Sequence, residues 1–308
     1  MLADALRGHG AFVYRADETL AKYHGDGNVL IARLRKAGMS HVWVRLHNHE
    51  LLPEPEEPTR RLIEILTGAN IAVAGWGFDA GHNPESDAAT VAGYVKKHGL
   101  THYVADIEQD EHDSSWTSQK IPVFLRGLKK DLPAGAQILV SSYPYLKAKH
   151  PELMRAAAPV ADGFAPQIYW QLYPSASMLK TSNLPPHPSR PYNANVDVGE
   201  PAAYAHLCLD WWREAVGRKP LLLTGQAYWE GYPQRPVSRH IAEAKLARFL
   251  ETFDGWSRVV GVNWWHLGHA TNTNANGAMT EVMFNSIVAA HVNKKPFASL
   301  VSRDCHFA

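Results

Sequence analysis

The sequence predicts an α/β fold, a single (β/α)8 TIM barrel over residues 1–293, and three observations predict it. Short β-branched and aromatic runs alternate with longer segments of helical period. Eight such strand–helix pairs can be placed, with no internal repeat and no compositional break that would mark a second domain. No G-x-G-x-x-G or phosphate-loop pattern follows any of these strands, which counts against the open doubly wound sheet as the alternative.

The elements follow in order. Residues 12–15 read as the first strand, and residues 27–36 as a helix whose Val29, Leu30 and Leu34 recur on one face before Gly38 stops it. Residues 41–47 give the second strand and 56–67 the second helix. The third strand covers 71–78, and a helix over 85–98 is opened by Asn83-Pro84, since proline is tolerated in a first turn. The fourth strand spans 102–108, with a helix over 119–131 carrying Pro122 near its start, and the fifth spans 137–143, with helical material over 151–159. The sixth strand covers 163–171. A proline-rich excursion over 184–191 separates it from a helix at 201–216, in which Trp211 and Trp212 read as core. The seventh strand spans 220–228 and its helix 237–253; the eighth spans 259–265, closed by a helix over 280–292. Residues 294–308 read as an irregular tail.

Composition narrows the partners. Of 308 residues, 45% are hydrophobic and 20% charged, enough to bury a large core. Lys plus Arg total 31 against 30 Asp plus Glu, a formal charge of +1, so no long-range field recruits nucleic acid or anionic lipid. No run approaches the roughly 18 apolar residues of a membrane span, so no membrane insertion is expected. The first ten residues lack a long apolar signal core, and the expectation is synthesis in the cytoplasm without a signal peptide, with release by phage lysis or association with a particle. Two cysteines, Cys208 and Cys305, do not make a disulfide framework or a zinc–cysteine site. The aromatic load is high: Trp 10, Tyr 12, Phe 9.

In a barrel of this kind chemistry sits at the carboxyl ends of the strands, which selects few positions. They are Tyr14, Arg15 and Asp17; Arg45, His47, Asn48, His49 and Glu50; Trp76 and Asp79; Asp106, Glu108 and Asp110; Ser141 to Tyr143; Gln167 to Gln171; Gln226 to Glu230; and Asn263 to His266. Because strand side chains alternate, Asp106 and Glu108 share a face while Ile107 points toward the helices. Two carboxyls at that spacing resist double ionisation, and apolar surroundings add desolvation, so one of them keeps its proton near neutrality, as a general acid requires. The plain alternative is a structural pair holding a Lys or Arg or capping a helix. Trp76, Tyr228 and Trp265 suit a sugar, whose C–H faces stack on aromatic rings, and Gln167, Asn263, Arg45, Asp79 and Glu230 are the polar groups that would read its hydroxyls. No cofactor is required. The Asn/Gly-rich loop at 272–277 and Lys294-Lys295 read as turn and solvated end.

The stretch Ala105-Asp-Ile-Glu108, together with Pro166-Gln-Ile-Tyr169, resembles the hevamine-like branch of the chitinase family, and the Asp-x-Glu element is also similar to that of the Chalaropsis-type lysozymes of bacteria and phages. The first resemblance implies Glu108 as general acid, with Asp106 and Tyr169 orienting the substrate's own N-acetyl group and Trp264 or Trp265 as the eighth-strand tryptophan. Both imply cleavage of a polysaccharide containing N-acetylhexosamine, chitin-like or peptidoglycan. Three other readings stay open. Glu108 and Glu230 stand where retaining β-glycosidases carry acid/base and nucleophile, a reading that carboxyl groups about 5 Å apart would favour. His47 and His49, completed by His266 or Asp106, suit a metal-dependent hydrolase. A barrel without turnover, binding glycan or serving in a virion, is the non-enzymatic reading.

Overall fold

A computed structural model describes residues 2–109, 111–146, 149–170, 201–229, 239–253, 259–268 and 278–293. Gln171, Asp110, Glu230, Cys305, the proline-rich excursion, the 272–277 loop and the tail from Lys294 lie outside the described residues. Eight parallel strands close in sequence order, β1 (Gly8–Val13), β2 (His41–His47), β3 (Ala72–Phe78), β4 (Tyr103–Asp106), β5 (Ile138–Ser142), β6 (Gly163–Ile168), β7 (Leu221–Gln226) and β8 (Val259–Trp265), with β8 returning to β1. The single (β/α)8 barrel is the fold of this chain.

Around it run α1 (Ala16–Lys22), α2 (Gly27–Lys36), α3 (Glu56–Gly68), α4 (Pro84–Lys97), α5 (Lys120–Asp131), α6 (Pro151–Ala157), α7 (Pro201–Val216), α8 (Arg239–Thr252) and α9 (Glu281–Val292). Local chemistry sets several ends. Asp26 accepts from the Asn28 N–H to open α2, whose Leu30, Ile31 and Leu34 are buried, and Thr280 accepts from Met283 N–H to open α9. Pro84 stands in the first turn of α4. Trp211 and Trp212 of α7 are buried, as expected, and the Trp212 indole donates to the Tyr143 carbonyl at 3.1 Å, tying α7 to the segment after β5.

Several features depart from the sequence reading, among them β4 and β6, which end at Asp106 and Ile168, short of the expected 108 and 171. β1 begins at Gly8 and ends at Val13, earlier than the expected 12–15, because Gly8-His-Gly carries no β-forming pattern yet is paired from both sides, Gly10 with His41 and Gly8 with Gly261. The residues after it, to which the sequence reading assigns no element, form α1. A 3-10 turn, Asp4–Leu6, precedes β1. It plugs the amino end of the barrel: Leu2, Ala5 and Leu6 join Phe12, Trp43, Trp76, Val104, Leu139 and Leu222 in the inner core, and the Trp43 indole donates to the Ala5 carbonyl at 2.7 Å. A larger apolar layer packs the outside of the strands against the helices.

Candidate active site

β4 ends at Asp106, whose register neighbours are Phe78 on β3 and Ser141 on β5. The chain continues extended for two residues, held by Ile107 N–H to the Ser141 carbonyl at 3.0 Å and by the Ser142 hydroxyl to the Ile107 carbonyl at 2.6 Å. Ile107 is fully buried in the outer apolar layer, so Asp106 and Glu108 both turn to the barrel mouth, as strand alternation requires.

Gln167, near the end of β6, joins them. Its amide nitrogen lies 2.9 Å from Asp106 Oδ1 and 2.6 Å from Glu108 Oε1, so its two N–H groups are donated one to each carboxyl; Ser141 Oγ stands 3.2 Å from the same nitrogen. Burial raises both carboxyls above the ordinary carboxylate range. For Asp106 the donors Ser141 and Gln167 work against burial. Glu108 is held well above that range by burial first and the Asp106 charge second, against the opposing pull of Gln167 and the Lys149 ammonium. The arrangement therefore favours ionised Asp106 beside protonated Glu108, a proton donor facing the mouth.

Aromatic groups flank the pair. Beyond β6 and β7, the Tyr169 and Tyr228 rings meet edge to face at 5.4 Å. At the ends of β1, β3 and β8, Tyr14 lies 5.8 Å from Trp265 and 6.3 Å from Trp76. Tyr14 is 39% exposed and Trp265 half-buried, so these two present surface; Trp76 is buried, its indole donating to the Val13 carbonyl, and it backs them. The Arg45 guanidinium stacks on Tyr14 at 3.9 Å and pairs with Glu54 at 2.6 Å. Glu54 was not foreseen. It comes from a return of chain after β2 pinned by Glu54 N–H to the Leu46 carbonyl, and no motif in the sequence marks it.

The other expected site residues are placed as follows. Asp79 is buried; its Oδ1 accepts from its own loop, the Gly81 N–H, at 2.6 Å, and burial pushes it up to about 7. Asn263 is wholly buried on β8, level with Thr224 of β7. The proposed histidine pair for a metal is split: a register shift between Arg45 and His47 turns the latter outward, where its nitrogens engage the Asn48 carbonyl and the Tyr103 hydroxyl at 2.8 and 2.7 Å. His49 instead stacks on His112 with centroids 4.5 Å apart. Among the described residues no group of three His, Cys, Asp or Glu side chains is arranged to hold a metal ion. No helix among them is long and apolar enough to cross a membrane.

No protein-family model matches the sequence, and no curated protein matches it. Solved barrels do share its fold. A GH5_18 from Bifidobacterium longum subsp. infantis aligns with a TM-score of 0.62 at 12% identity, over 93% of this chain and 79% of that one. GH5_18 from Streptomyces cattleya, in complex with GlcNAc, aligns at 0.57 and 14% identity, over 94% and 81%. The GH18 chitinase ChiB from the chitin utilization locus of Flavobacterium johnsoniae aligns at 0.52 and 10% identity, over 94% of each chain. The likeness is one of fold: these neighbours are glycoside hydrolase barrels.

Proposed function

We propose that this protein is a glycoside hydrolase acting on a polysaccharide that contains N-acetylhexosamine, with Glu108 as general acid and Asp106 as its electrostatic partner. The observation that carries the reading is the Gln167 amide shared between two carboxyls at the mouth end of β4, one of them biased to keep its proton. The fold-level neighbours add support, since they include a chitinase and a barrel seen with GlcNAc.

In the reaction Glu108 gives its proton to the glycosidic oxygen as the bond to the anomeric carbon breaks. The substrate's N-acetyl carbonyl oxygen attacks that carbon, with ionised Asp106 and the Tyr169 hydroxyl orienting the acetamido group. Glu108, now a carboxylate, takes a proton from the water that opens the resulting ring. Tyr228 and Trp265 supply faces for the sugar, and fixing it near the attack geometry accounts for a large part of the rate.

Product analysis tests the reading. Incubation with purified peptidoglycan and with β-1,4-linked N-acetylglucosamine oligomers, followed by mass spectrometry, is expected to show shortened glycans from at least one of them. Release of none from either removes the hydrolase reading and leaves the non-enzymatic barrel. A retaining mechanism with Glu230 as nucleophile differs in one outcome: a trapped glycosyl–protein adduct at Glu230 would replace substrate assistance.

A further inference from the structure

The carboxyl pair on β4 has two flanks. Tyr169 and Tyr228 stand on the β6–β7 side. On the other side, Phe78 is the register neighbour of Asp106, and its half-buried ring meets His112 edge to face at 5.2 Å; His112 in turn stacks on His49, with planes 15° apart. One continuous run of rings thus leads from the acid pair across the ends of β3 and β2. His49 is half-buried and His112 exposed.

The run is held in place. His112 and Asp113 have φ of 49° and 54°, left-handed values that non-glycine residues adopt at a cost. The segment that carries them is fastened to the loop after β3: the Trp116 indole donates to the Asp79 carbonyl and Ser115 N–H to the Ala80 carbonyl, both at 2.7 Å, while Lys120 Nζ reaches the Gly81 carbonyl at 2.8 Å. A strained backbone locked by several bonds presents a preformed surface, so a ligand has little ordering left to do there.

We propose that Phe78, His112 and His49 form a sugar-binding subsite for a neutral N-acetylhexosamine unit of the polymer, remote from the bond that is cut. The inference rests on the glycoside hydrolase reading and extends it to a cleft that grips the chain on both sides of Glu108. Ring faces suit the C–H faces of a pyranose. The neighbouring charges choose a neutral unit over an acidic one: Glu50 lies 3.9 Å from His49 Nε2, and exposed Glu111 and Asp113 bracket His112, so a carboxylate-bearing sugar would meet like charge.

The test uses the full chain carrying Glu108→Gln, which is expected to bind without cutting, and calorimetric titration with N-acetylglucosamine dimer and hexamer. A hexamer reaches the remote rings and a dimer held at the acid pair does not. Adding His49→Ala and His112→Ala together is expected to lower the ratio of hexamer to dimer affinity roughly 3- to 10-fold, the size of a lost aromatic stacking contact, and His112→Phe with His49 intact to keep it. An unchanged ratio in the double alanine variant overturns the subsite while leaving the catalytic reading standing. Failure of Glu108→Gln to bind either oligomer, with no cleavage by the unaltered protein, removes the glycan reading and the subsite together.

Discussion

At the scale of single residues, the pairing of the two carboxyls was legible because its logic is local: Asp106 and Glu108 are two apart at the end of one strand, and alternation puts them on one face. Gln167, which links them, lies 59 residues beyond Glu108, and only closure of the barrel brings it there. Arg45 and Glu54 show the same limit. The arginine was visible at a strand end, but its buried partner and its stacking on Tyr14 are tertiary facts. The electrostatics give a testable sign. The Asp106 charge is the second cause that raises Glu108, after burial, so Asp106→Asn should let the Glu108 proton leave at lower pH. A general acid works only while protonated; activity therefore falls as pH rises through its pKa, and the alkaline limb of kcat/KM in Asp106→Asn should move toward acid. A limb that stays in place or moves toward alkali would show that another group governs it.

At the scale of elements, periodicity found α2 to α9 and missed the short α1 and what glycine and short turns conceal. The α2 boundaries, Gly27–Lys36, match the sequence reading, since a capped amphipathic stretch ending at Gly38 states its own limits. The seam that closes the barrel states nothing in sequence. There Gly8 of β1 faces Gly261 of β8, and a methyl group on Gly261 would run into the Gly8 carbonyl and nitrogen. Backbone cannot step aside as a flexible side chain can, so Gly261→Ala is expected to cost about 1–3 kcal/mol, the usual range for overpacking. Gly93 is the contrast: exposed within α4, with open space where its Cβ would go, so Gly93→Ala should stabilise by roughly 0.5–1 kcal/mol. Urea unfolding of the two variants measures both signs. Equal effects would mean that the β1–β8 seam tolerates side-chain bulk.

At the scale of the whole molecule, the alternation of strand and helix was sufficient to read the barrel, because each βα unit must bury one face against its neighbours and eight units close the sheet. Chemistry was less legible. The His47–His49 spacing looked like a ligand pair on a regular strand, and the register shift in β2 sends His47 outward and leaves His49 to stack on His112. The aromatic load divides the same way, with Trp43 and Trp212 in the core and Tyr14, Trp265, Tyr169 and the His112 run around the mouth. Under the proposed function these features make a mouth that takes a chain of sugars, with Glu108 as its proton donor. The most direct measurement is therefore turnover of N-acetylglucosamine hexamer and of peptidoglycan by Glu108→Gln beside the unaltered protein, with binding followed in parallel. Binding is expected to persist and the rate to fall at least roughly 100-fold, the lower end of what general acid catalysis contributes; hydrolysis at the unaltered rate would contradict the acid role of Glu108.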